Sequence, residues 1–184
     1  MQDASPICAA FPDLSAPEPK IFAALSQAIR LGLSVELTYR SMNQPQPHQR
    51  IIAPHHLIRA GRRWHIRAYC TTHQTFRDYA LGRIVGTSIL PQASEHRAED
   101  DAAWNAIVPV RLIAHPELNH TQQDVIRFEY FSGTAARIVT CRGALAGYFV
   151  QDVRAATDIK TQRPPDYQLA VENLDEISPW LFPF

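Results

Sequence analysis

Arg63-Trp64-His65-Ile66-Arg67-Ala68-Tyr69-Cys70 alternates without a break, and that alternation decides the fold of the region around it. Trp64, Ile66, Ala68 and Cys70 fall on one side, and Arg63, His65, Arg67 and Tyr69 on the other. Successive side chains of a strand point to opposite faces, so a period of two predicts a strand with an apolar inner face and a basic, aromatic outer one. Phe76 to Val85 repeats the pattern, with Arg77, Tyr79 and Arg83 sharing one side. Upstream, Val35, Leu37 and Tyr39 alternate with Glu36, Thr38 and Arg40. After a proline-broken loop from Asn43 to His48, Gln49 to Ala53 resumes as strand, and Gly61-Arg62 marks a tight turn. Phe22, Leu25 and Ile29 recur at helical spacing, and Gly32 ends that pattern as a C-terminal cap. One helix followed by about five short antiparallel strands predicts a small, strongly bent β-barrel.

Charge marks the same block. From Arg40 to Arg83 there are eight arginines and one acid, Asp78, although the whole chain has a formal net charge of zero. Of the 18 basic residues, 16 are arginine. Arginine offers a planar fork of donors that grips phosphate or carboxylate bidentately and stacks on flat rings, whereas lysine offers a point charge. Bases stack on aromatic and guanidinium planes while arginines hold phosphates, so Arg67 with Tyr69, and Arg77 and Arg83 around Tyr79, form a candidate site for a nucleic-acid-derived anion. The bland alternative is a solvated face whose arginines pair with acids elsewhere.

The 184 residues suffice for a sizeable core, and 46% apolar with 20% charged content describes a globular chain rather than a disordered one. No apolar run approaches the roughly 20 residues of a membrane helix. Met1-Gln2-Asp3 lacks the layout of a secretion signal. Cys8, Cys70 and Cys141 are odd in number and far apart, which argues against a disulfide framework and for a reducing cytoplasm. Residues 1–19, with four prolines, read as an arm or linker; 20–93 form the barrel unit; and 94–107, with Glu95, Glu99, Asp100 and Asp101, read as an acidic linker. Residues 108–184 then predict a strand over Val108–Ala114, a helix capped by Asn119 with Gln122, a strand over Ala135–Arg142, a helix over Ala144–Val153 and a strand over Tyr167–Val171. That β-α-β-α-β order predicts a small α/β sandwich.

Several motifs carry a resemblance: Glu36-Leu37-Thr38-Tyr39-Arg40-Ser41-Met42, Ala53-Pro54-His55-His56-Leu57, Arg63 to Cys70 and Phe76-Arg77-Asp78-Tyr79. They resemble the WYL domain, a ligand-sensing module of bacterial transcription regulators named for a Trp-Tyr-Leu triplet. Ala114-His115-Pro116-Glu117-Leu118 and Glu176-Ile177-Ser178-Pro179-Trp180-Leu181 resemble the C-terminal extension of regulators of anti-phage defence operons of the BREX and CBASS type. The triplet here reads Trp64-His65-Ile66, and nothing before Glu18 has the makings of the winged helix-turn-helix with which such regulators begin. The resemblance implies an Sm-like, SH3-type barrel and a receptor for nucleic acid or nucleotide ligands: single-stranded DNA or RNA, an oligonucleotide or a cyclic nucleotide. With Tyr79 from the alternation, the expected ligand-binding set is Tyr39, Arg50, His56, His65, Arg67, Tyr69, Arg77, Tyr79 and Arg83. Trp64, on the apolar face, reads as core. The resemblance, with the apolar end at Trp180, Leu181, Phe182 and Phe184 and the arm over residues 1–19, predicts a homodimer with two ligand sites, held mainly by the extension domain.

Other chemistry fits less well. His55, His56, His65, His73 and Cys70 match no standard zinc spacing, and Cys70 faces inward from His65, so no metal or other cofactor is expected. The acids at 99–101 have no apolar pocket to tune them as general acid or base, and no catalytic residue is assigned. A metal-dependent nuclease or phosphodiesterase using His55 or His56, and a dimerisation scaffold without ligand, remain the alternatives. The apolar tail of Ile177, Trp180, Leu181, Phe182 and Phe184 either covers the second unit's core or forms a subunit interface.

Overall fold

The structure, a computed structural model, describes residues 16–61 and 63–182. Most of the expected N-terminal arm, Arg62 of the expected turn and Phe184 of the tail lie outside the described residues. Two compact units are present, one ending at Arg97 and the other beginning at Ala98.

The first unit runs α1 (Pro19–Leu31), β1 (Leu33–Tyr39), β2 (His48–Ala60), β3 (Arg63–Cys70), β4 (Thr75–Ala80), a 3-10 turn over Leu81–Arg83 and β5 (Ile84–Ala93). Pro19 opens α1 in the first turn, where its missing N–H has no intrahelical partner to lose. Gly32 ends the helix at φ 63°, in the left-handed region, and its N–H returns to the carbonyls of Ala28 and Ile29. Ile21, Leu25 and Ala28 bury one stripe of the helix, which packs on β1, β2 and β5. Truncating the fully buried Leu25 to alanine would cost about 2–5 kcal/mol, lost transfer energy plus a cavity.

All five strands pair antiparallel in the order β4-β3-β2-β1-β5. Long β2 serves two neighbours: His48–Ile52 pairs with β1, and Ile52–Ala60 pairs with β3. Its register against β3 shifts between Pro54 and His56. Proline has no N–H for the ladder, so a bulge is where a central strand can hold one. The sheet does not close: β4 and β5, its two ends, do not pair among the described residues. The closed Sm-like barrel expected from the sequence is therefore corrected to an open, two-ended sheet with α1 laid on its apolar face. Alternation reports which face of each strand is buried, but closure depends on strand tilt and stagger, which alternation does not encode.

The second unit contains α2 (Ala102–Asn105), β6 (Ile107–Ala114), α3 (His120–Phe131), β7 (Ala136–Arg142), α4 (Gly143–Asp152), β8 (Ala155–Ala156), β9 (Leu169–Val171) and α5 (Leu174–Ile177). Its sheet runs β7-β6-β9-β8, antiparallel except for the β8–β9 pair, so the unit is mixed α/β. Asn119 and Gln122 form a reciprocal capping box at the start of α3, at 3.0 Å in both directions. Within 94–107, Asp101 is buried and caps α2 by accepting from the Trp104 N–H. The tail folds back onto its own unit: Ile177 lies in the second core, Trp180 and Leu181 pack against it, and Phe182 meets Tyr148 edge-on at 4.6 Å.

Candidate functional site

Strand register divides the nine expected residues between two faces of the first sheet. Leu37 pairs with Arg50, Ile52 with Cys70, Ala68 with Arg77, and Ile66 with Tyr79. Tyr39, Arg50, Arg77 and Tyr79 therefore share the face that carries the core. His56 pairs with Arg67, Arg67 with Asp78, and Tyr69 with Phe76, which places His65, Arg67 and Tyr69 on the opposite face.

On the core-bearing face, Tyr39 and Tyr79 are both buried and meet edge-to-face at 5.1 Å. They are pieces of the core, not open stacking surfaces. Arg50 and Arg77 sit at the polar end of this face with His73, which lies in the β3–β4 turn. Desolvation, then the charges of Arg77 and Arg50, hold the His73 imidazole below its ordinary titration range. The same two guanidinium groups act on Tyr79, whose phenol is nevertheless pushed up, chiefly by burial and then by the Cys70 thiol beside it. The buried Tyr79 hydroxyl has no well-aligned hydrogen-bond partner. Arg50 donates to the Gln49 carbonyl at 2.8 Å and to Gln44 Oε1 at 3.1 Å. Neither Arg50 nor Arg77 has a carboxylate partner among the described residues. Two cations from different strands thus share a sheet face with a buried hydroxyl, a set of groups suited to an oxyanion.

The opposite face is built differently. Arg67 Nη1 lies 3.2 Å from Asp78 Oδ1, and their side chains are only 10% and 11% exposed. A guanidinium with a carboxylate beside it, almost out of water, is compensated within the fold. His65 is buried, and desolvation lowers its pKa; Asp78 opposes that shift, while Arg63 and Arg83 add to it. Arg83 thus acts on His65, and it stands outside the strand alternation that grouped it with Arg77 and Tyr79. The reason is local: β4 ends at Ala80, and the 3-10 turn Leu81–Arg83 breaks the period of two. One ring face of Tyr69 is covered by His96, stacked at 3.6 Å and 25°, and Phe76 meets Tyr69 edge-on at 5.3 Å. His55 and His56 touch through their Nδ1 atoms at 2.7 Å. Trp64 packs on the first core and against Phe22 of α1 at 5.2 Å, as its apolar-face position predicts.

His73 and His96 were missed as site neighbours. His73 lies in a turn outside the alternating run and comes to the rim because β3 and β4 hairpin back on each other; its Nδ1 lies 3.2 Å from the Cys70 thiol. His96 lies past the end of β5, and nothing local marks it as a cover for Tyr69. Among the described residues no three His, Cys, Asp or Glu side chains gather as a metal would need. A cleft of about 390 Å³ lies within the second unit, lined by Val150, Arg154, Tyr167 and Phe182 among others, and contains none of the nine expected residues.

Known proteins share both units. Residues 20–89 match the WYL domain, and residues 107–177 match the C-terminal dimerization domain of the BrxR transcriptional regulator. The chain is 37% identical over 157 residues to the DNA-binding transcriptional repressor CapW of Pseudomonas aeruginosa, covering 85% of this chain and 52% of that protein. It is 35% identical over 173 residues to CapW of Escherichia coli strain KTE188, covering 94% of this chain and 58% of the relative. The chain thus spans about half the length of these relatives. Among solved structures it is similar to the proteasome accessory factor B/C of Arthrobacter aurescens, at 20% identity and a TM-score of 0.42, covering 90% of this chain and 27% of that one.

Proposed function

We propose that this chain, which matches a WYL domain followed by a BrxR-type C-terminal dimerization domain, is the sensor part of a transcriptional regulator whose first unit senses a phosphate-bearing, nucleic-acid-derived ligand at the Arg50–Arg77 rim. Both matched domains and the CapW relatives are regulatory rather than enzymatic. One observation supports the reading: Arg50 on β2 and Arg77 on β4 share one sheet face with Tyr79, have no carboxylate partner among the described residues, and act through their charges on His73 and on Tyr79, whose buried hydroxyl has no well-aligned partner. A phosphate there would take forked donors from both arginines. His73 would become easier to protonate, because a bound anion offsets the two guanidinium charges. Arg67, already paired with Asp78, serves the fold, and Arg83, whose charge acts on the neutral, buried His65, is a secondary cation.

The second unit joins two copies, giving a cytoplasmic homodimer with two ligand sites. Ligand binding shifts the population between arrangements of the dimer, and a DNA-binding segment reads that shift as control of a phage-defence operon. Titration of the purified chain with single-stranded DNA, RNA and cyclic nucleotides tests the ligand. At least one of them should bind, and Arg50→Ala with Arg77→Ala should abolish binding while the melting curve is kept. Equal binding by the double variant, or no binding by any member of the panel, would overturn this reading.

A further inference from the structure

Helix α3 is apolar on two sides, and its own unit uses only one. Ile126 and Phe131 are buried in the second core. Val125 and Phe128, one turn apart, point the other way, and Phe128 at 82% is the most exposed large apolar side chain among the described residues. Thr121, one turn before Val125, is also exposed, and this small, uncharged residue extends the stripe. Charge beside the stripe is already paired within the helix: Asp124 lies 3.0 Å from Arg127 and 3.2 Å from His120. The one charged neighbour without an ion pair on that flank among the described residues, Glu129, is exposed and long enough to stay at the rim, and an aromatic ring at the centre of the stripe is the residue type that dominates interface cores.

We propose that this face of α3 is where two copies of the chain meet, α3 against α3 across a two-fold axis, with Phe128 as the anchor. The proposal rests on the dimer reading above and names its contact. A second copy is the occupant that fits, because α3 lies inside the segment matching a dimerization domain. A two-fold contact also needs just one self-complementary patch, which a short apolar stripe provides. The second sheet offers a rival surface, where Ile107 and Ile138 are exposed. That face is interrupted by the Arg111–Glu172 ion pair, which a partner would have to desolvate.

Sedimentation velocity over a concentration series separates the outcomes. The unmodified chain should be a dimer, Phe128→Glu should raise the dissociation constant about tenfold or more, and Ile138→Thr should leave it unchanged. Phe128→Cys should cross-link two chains under mild oxidation beyond the unmodified background, a positive readout that survives if Phe128→Glu folds poorly. A dimer untouched by Phe128→Glu, with no cross-link at residue 128, overturns the α3 contact while leaving the dimer intact. A dimer broken by Ile138→Thr overturns it in favour of the sheet face. A chain that stays monomeric throughout defeats the dimer reading itself, and this contact with it.

Discussion

Arg67 and Asp78 are direct register partners across β3 and β4, and their guanidinium and carboxylate lie 3.2 Å apart with little solvent on either. The one acid in the arginine-rich block thus neutralises one of its most central cations. That contact separates an arginine that holds the sheet from Arg50 and Arg77, which have no carboxylate partner among the described residues.

Removing one partner of this pair should therefore cost more than any rim substitution. Asp78→Ala leaves the Arg67 charge buried without its carboxylate, at about 3–5 kcal/mol, whereas replacing both residues with apolar side chains of similar size should recover most of that loss. Urea denaturation checks it. An Asp78→Ala variant with an unchanged midpoint would show that the pair does not hold the sheet.

Salt separates the two groups of arginines in the opposite direction. Affinity for a single-stranded oligonucleotide should fall steeply with ionic strength, and Arg77→Ala should reduce the log–log slope by about 0.7, the share of one phosphate contact. Arg77 is exposed, so its removal should change stability by no more than about 0.5 kcal/mol. Isotherms between low and high salt give the slope. A slope unchanged by Arg77→Ala would remove that residue from the site.

Mild acid should weaken the first unit through His65. Its folded pKa lies below the ordinary value of 6.5, because burial disfavours the charged ring. Above 6.5 both folded and unfolded chains carry it neutral, and stability is fully present. As pH falls below 6.5, the unfolded chain takes up a proton that the folded one resists, so stability declines until the lowered folded value is reached. His73 shifts in the same direction, but at the surface its contribution is screened. Chemical denaturation between pH 7.5 and about 5 should show this decline, and His65→Gln should flatten it. An equal decline in that variant would place the titration elsewhere.

Gly143 of α4 should tolerate no side chain while Trp180 is in place. A Cβ built there would come within 2.5 Å of the indole ring, closer than any real contact. Gly143→Ala should destabilise the second unit by about 1–3 kcal/mol through overpacking. The same substitution made on a Trp180→Ala background should be neutral or stabilising. Thermal melts of the four chains close the cycle, and equal effects of Gly143→Ala on both backgrounds would show that the tail does not rest on this glycine.

Local pattern determined most of the elements, because hydrophobic period and capping act within a few residues. Leu25 and Gly32 mark the span of α1, the alternation through Ile66 and Cys70 marks β3, and Asn119 with Gln122 marks the start of α3. Family motifs in the same stretches determined the two domain types. Tertiary structure decided what no local pattern carries. Whether β4 meets β5 depends on tilt and stagger summed over five strands. Which arginine is spent on Asp78 depends on the register between two strands, since a slip of one residue would turn Arg67 to the other face. Arg83 fell out of the β4 alternation because a 3-10 turn broke the period, and His73 came within reach of the Arg50 and Arg77 charges because a hairpin folded it there. Period is set between neighbours in the chain, whereas register and closure are set between residues that meet only when the chain has folded.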